Sequence, residues 1–126
     1  MSPCLSQKTL DALLCALCAD FDRRRLAIGE GRLSRRVLFE YRYLNDRILG
    51  AAISVCADYE SALTYVREIG ARTGYANSAL EEVSEITYKR RKNEIRRRIL
   101  EQLSLIDRDT TELSWKEERE RGKKKF

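Results

Sequence analysis

Residues Lys89 to Arg98 read KRRKNEIRRR, which sets Lys89, Arg90, Arg91, Lys92, Arg96, Arg97 and Arg98 against the single carboxylate of Glu94. Seven cations less one anion leave +6 on this segment. The whole chain carries +5, so the remainder sums to −1. A nearly neutral body with one concentrated basic segment attracts a polyanion, and double-stranded DNA is the first candidate partner. Arginine can bind guanine through two parallel donors, and arginine and lysine both engage phosphate. Six or seven phosphate contacts would make such binding steeply salt-dependent. The same residues also admit a blander reading. A basic helix face is often solvated, or answered by carboxylates such as Glu81, Glu82 and Glu85 or by those of a neighbouring helix or subunit. Binding to a membrane surface is not expected, because the opposite face lacks the Trp or Phe of an interfacial helix.

Other chemistry is sparse. The chain has no histidine, which removes the commonest general base, the commonest metal ligand and the usual catalytic triads. No phosphate loop, paired-carboxylate site or nucleophile with a base is identifiable. The expectation is a non-enzyme with no cofactor, no metal and no small-molecule substrate. Four cysteines remain: Cys4, Cys15, Cys18 and Cys56. Cys15 and Cys18 form a CxxC, but zinc would need two more thiolates at a compact spacing. A redox pair would sit after a strand at a helix start, whereas this one lies midway along an amphipathic helix. Small, reduced, partly buried thiols are the favoured reading. Asp22 to Arg25 and Arg32 to Arg36 make a second, weaker basic patch, read as surface charge at helix ends.

Charged residues make up 36% of the 126, with one proline and six glycines. That composition suits helices joined by short turns. Leu10, Leu13, Leu14, Leu17, Phe21 and Ile28 follow a helical period from about Ser6 to Ile28, and Gly29 to Gly31 ends that helix. Ser34 caps a second helix with Val37, Leu38, Tyr41, Leu44, Ile48, Ala52, Val55 and Tyr59 on one stripe. Within it, Leu49 to Ala57 is apolar or small nearly all round, as in a buried helix at the centre of a fold. Asp58 caps a third helix running to about Thr73, with Leu63, Val66 and Ile69 inward. The stretch from Leu10 to Ala19 contains Asp11 and lacks a basic leader, so it does not read as a signal peptide, and a reducing cytoplasm is the expected setting.

Residues Val66 to Val83 resemble the helix-turn-helix of bacterial DNA-binding regulators. Ile69 matches the apolar anchor of the first helix, Gly70 the small residue where two helices cross, and Gly74 the turn residue that tolerates positive φ. Tyr75 then packs inward. Leu80 and Val83 belong to a second helix that Ser78 and Glu81 start as a capping box. In that frame the groove-facing residues include Asn77, Ser78, Glu81 and Glu82, and adjacent carboxylates face phosphates poorly. The helix beyond Ser84 is therefore the better reader. Its segment Ser84 to Ile95 resembles the last helix of small phage-type late-gene transcription regulators of the ArpU kind, which implies a C-terminal domain like region 4 of sigma factors.

Helical phase places a break between the two frames. Ile86 and Ile95 are nine residues apart, which at about 100° per residue puts them on opposite faces. Tyr88 is in phase with Ile95, Ile99 and Ile106. Ser84, a good N-cap residue, is the expected start of this last helix. Lys89, Arg90, Arg96 and Arg97 then lie opposite the apolar stripe, with Arg91 and Arg98 on a flank.

The expected architecture is all-α, a bundle of four to five helices with a helix-turn-helix-like unit over residues 1–107. A flexible, charged C-terminal tail follows over 108–126, with Leu113 and Trp115 as isolated anchors. The expected function is DNA binding in bacterial or phage transcription, with homodimer formation possible. The rival is a helical interaction or oligomerisation protein with no nucleic-acid role.

Overall fold

A computed structural model describes residues 5–106. The expected tail over 108–126 and Cys4 lie outside the described residues. The architecture is an all-α bundle with five α-helices among the described residues: α1 (Gln7–Ala19), α2 (Phe21–Glu30), α3 (Arg35–Cys56), α4 (Tyr59–Ala71) and α5 (Glu85–Gln102). A single 3₁₀ turn, Tyr75–Asn77, lies between α4 and α5.

Four helix starts follow one chemistry. The Ser6, Ser34 and Ser84 hydroxyls and the Asp58 carboxylate each accept from the backbone N–H three residues on. Each thereby satisfies one of the N–H groups left without a partner at a helix start.

The first long helix expected from the sequence is two helices. It breaks at Asp20, which has φ −91° and ψ 4°. At this point α4 comes close. A Cβ on Gly70 would stand 2.5 Å from the Ala19 nitrogen and 2.8 Å from the Cys18 carbonyl carbon. The backbones of α1 and α4 thus touch where α1 ends. The small residue at position 70 does serve a helix crossing, but with α1 rather than with a following helix.

The core gathers Leu10, Leu14 and Cys18 of α1, Phe21 of α2, Ile48 and Ala52 of α3, Ala62, Tyr65, Val66 and Ile69 of α4, and Tyr88, Ile95 and Ile99 of α5. α4 packs on α1 and α3, α5 packs on α3, and α2 packs on α3. The segment Leu49 to Ala57 is not enclosed all round. Ala51 and Ala52 are buried, while Gly50 and Ile53 face outward. α3 also stops at Cys56, closed by Ala57 in the left-handed conformation, so Tyr59 opens α4 and is exposed.

Downstream of α4 the helix-turn-helix expectation needs correction. α4 ends at Ala71, and its left-handed residue is Arg72 (φ 58°), not Gly74. The Arg72 N–H reaches the Ile69 carbonyl and the Thr73 N–H reaches that of Glu68, a Schellman closure. Gly74 therefore needs no positive φ and sits extended at φ −88°. No helix starts at Ser78, and the capping box with Glu81 does not form. The Ser78 hydroxyl instead accepts from the Leu80 N–H two residues on. Leu80 and Val83 pack against the core from a turn. The second helix starts at Glu85, capped by Ser84, as helical phase required.

Candidate nucleic-acid interface

α5 is held against the bundle by its apolar face, Tyr88, Ile95, Ile99 and Leu100. The Tyr88 ring stacks on Tyr65, centroids 5.5 Å apart, and Tyr75 tilts against it at 5.6 Å. Its hydroxyl donates to Glu68 Oε1 at 2.8 Å. Burial, followed by that hydrogen bond, pushes the Tyr88 phenol up to about 12.

Glu68 is the residue that the sequence reading missed. It is buried in α4 and accepts three donors: the Tyr88 and Ser78 hydroxyls at one oxygen and the Ala79 N–H at the other. The carboxylate joins α4, the 74–83 turn and α5. The signal was present in its spacing, because Glu68 follows Tyr65 by three residues and so shares the inward face of α4.

The basic run divides into two parts. Its C-terminal half is consumed within the fold. Arg96 donates to Asp11 of α1 at 2.8 Å. Arg97 pairs with both Glu94 and Glu101. Arg98 pairs with Glu94 at 2.9 Å and donates to Ser54 Oγ of α3 at 2.8 Å. The hydrogen bond from Arg97 leads the causes that hold the Glu94 carboxyl below its ordinary range, and the same contact raises Arg97. Lys92 reaches the Thr73 carbonyl at 2.6 Å and lies over the Tyr88 ring. Burial lowers its pKa, and neighbouring Arg96 adds to that. Arg91 is half-buried, and its guanidinium favours the tyrosinate of Tyr65 against the larger, opposing effect of burial. Arg96 and Arg97 therefore do not form the open basic side that the helical wheel assigned to them. Carboxylates from α1 and from α5 itself cover them.

The N-terminal half of α5 is open. Ile86, Lys89, Arg90 and Asn93 recur at helical spacing on one exposed stripe, with Ile86 81% exposed. Lys89 makes an exposed pair with Glu85 at 3.0 Å, and Arg90 has no ion-pair partner among the described residues. Glu81 and Glu82 are exposed in the preceding turn, not on a reading helix.

The second basic patch is mixed. Arg23, Arg25, Arg32, Arg35 and Arg36 are exposed. Arg24 is buried, against expectation, and donates to Asn45 Oδ1 of α3 at 2.7 Å and to the Leu17 carbonyl of α1. Asn45 in turn donates to the Phe21 carbonyl. This network satisfies backbone groups at the α1–α2 break.

Cys15 and Cys18 are buried free thiols. Burial, with Cys15 adding, pushes Cys18 up to about 12, so the thiolate needed for redox exchange or metal ligation is suppressed. Among the described residues, no three His, Cys, Asp or Glu side chains are grouped to hold a metal ion, and no helix is long and apolar enough to cross a membrane. No family model, curated protein or solved structure matches the chain.

Proposed function

We propose that the protein binds double-stranded DNA through the N-terminal half of α5, as a bacterial or phage transcriptional regulator. One observation carries this reading. The stripe of Ile86, Lys89, Arg90 and Asn93 is exposed on a helix whose opposite side is fixed by Tyr88 and Ile95. A groove-entering helix presents its N-terminal residues to base edges while the rest of the domain holds it rigid. Arg90 has the geometry for a guanine edge or a phosphate, and Ile86 offers an aliphatic surface to a thymine methyl. The pairing of Arg96, Arg97 and Arg98 supports fewer phosphate contacts than the charge count suggested.

Fluorescence anisotropy with a labelled duplex at low and high salt tests the reading. With Lys89 and Arg90 as the phosphate-facing cations, log affinity should fall with log salt at a slope of about −2, not the −6 of a fully engaged run. Arg90→Gln should weaken binding by about 1–3 kcal/mol. Arg97→Gln should leave binding nearly unchanged. Failure to bind duplex at low ionic strength would sink the reading, and so would equal affinities for Arg90→Gln and the parent protein.

A further inference from the structure

We propose that the outer face of α3 joins two copies of this chain, packed antiparallel, with Phe39 of each copy seated over Gly50 of the other. Phe39 is 71% exposed and stacks on Tyr43, ring centroids 6.4 Å apart. Arg47 lies over the other end of this aromatic pair, 5.1 Å from the Tyr43 centroid, and donates to Gln102 of α5. Beside it an open cleft of about 450 Å³ is lined by Tyr43, Asp46, Arg47, Gly50, Ala51 and Gln102.

Gly50 floors this cleft. It stands inside a long helix, where glycine is destabilising relative to alanine because its backbone loses more freedom. Nothing among the described residues requires it, since a Cβ there would meet none of their atoms within 4 Å and its φ is not in the left-handed region. Gly70 differs, being pressed against the α1 backbone. The bare backbone at Gly50 instead lets a side chain from outside come close.

A second copy fits because the face is complementary to itself. Positions 39, 43, 46 and 50 lie within about 60° of one another on a helix turning about 100° per residue. When Phe39 faces Gly50 in an antiparallel pair, Asp46 faces Tyr43 and stands beside Arg42. Neither Arg42 nor Asp46 has an ion-pair partner among the described residues of its own chain. A two-fold axis makes each contact twice: two aromatic rings over two glycines, and two Arg42–Asp46 pairs. The cleft includes Gln102 at the C-terminal end of α5, so this face lies away from the exposed stripe at that helix's N-terminal end. The proposal does not rest on DNA binding.

Sedimentation equilibrium of the full chain tests it. The parent protein should show a concentration-dependent monomer–dimer equilibrium. Phe39→Glu should be monomeric at the same concentrations with unchanged helical circular dichroism. Gly50→Leu should be monomeric as well, although its fold should be no less stable. Arg42→Glu should weaken the dimer at least tenfold, and adding Asp46→Arg to that chain should restore it. The proposal is overturned by a parent protein that stays monomeric at every concentration, or by a dimer that survives both Phe39→Glu and Gly50→Leu. Loss of the dimer in Phe39→Glu but not in Gly50→Leu also overturns it, because the register would then be different. Failure of the DNA reading is distinguishable, since Arg90→Gln reads on duplex affinity without moving the solution mass.

Discussion

Glu68 shows how much a single residue decides in this fold. Its carboxylate receives the Tyr88 and Ser78 hydroxyls and the Ala79 N–H. Removing one charge from a buried acceptor set is costly, because its donors lose a charge-assisted partner. Glu68→Gln should lower unfolding free energy by about 1–3 kcal/mol, measured by urea denaturation. It should also loosen the 74–83 turn, seen as faster amide exchange at Ala79. An unchanged denaturation midpoint would remove Glu68 from this role. Asp11, Arg24 and Asn45 resemble it in reach, since each bonds a residue of another helix. None of them has a local sequence signature, because a polar side chain on an amphipathic helix looks the same whether it meets water or a partner.

At the scale of elements, four starts and one end were legible, the end being that of α2, which Gly31 closes in the left-handed conformation as Gly29 to Gly31 suggested. Serine and aspartate caps act through the N–H three residues on, so Ser6, Ser34, Asp58 and Ser84 were found from local sequence. The ends at Ala57, Arg72 and Ser104 use left-handed backbone at non-glycine residues, which hides them. The break at Asp20 falls where α1 crosses Gly70 of α4, a contact between residues fifty positions apart that no local pattern shows. Gly70→Ala should destabilise the protein by about 1–3 kcal/mol through overpacking against α1. Gly29→Ala, also in a helix but open to space, should stabilise it by about 0.5–1 kcal/mol. Thermal melts of the two variants should move in opposite directions. A melt of Gly70→Ala no lower than that of the parent protein would contradict the close crossing.

For the molecule as a whole, charge placement matters more than charge number. A run of +6 suggested a broad basic surface, yet Asp11, Glu94 and Glu101 answer its C-terminal half. Stability should carry the mark of this pairing in acid. Arg97 holds the folded Glu94 carboxyl below its ordinary value of 4.5, so the unfolded chain binds this proton more readily. The contribution is complete above about pH 4.5 and is lost as pH falls through the lowered folded value. These groups face water in part, so it is worth at most about 1 kcal/mol. Urea denaturation at pH 3 and pH 7 should therefore show a smaller acid loss for Glu94→Gln than for the parent protein. Equal losses would show that Glu94 contributes nothing to acid sensitivity.

The sequence by itself determined the all-α class, four helix starts, the inward stripe of Tyr88, Ile95 and Ile99, and the separation of the last helix at Ser84. These depend on period and capping, which act over a few residues. Only the tertiary structure decided which arginines of the basic run remain available. Arg90 and Arg97 are equivalent on a helical wheel and both lie about one turn from Glu94, but Glu94 pairs with Arg97 and Arg98 and leaves Arg90 without an ion-pair partner among the described residues. It also decided that Arg24 is an internal tie and Arg23 a surface charge, although the two are neighbours in the chain. A charge is open or spent according to which neighbour takes it up: Arg97 meets Glu94 and Glu101 of its own helix, whereas Arg96 and Arg24 are taken up by side chains of α1 and α3, far away in sequence, and only packing brings those together.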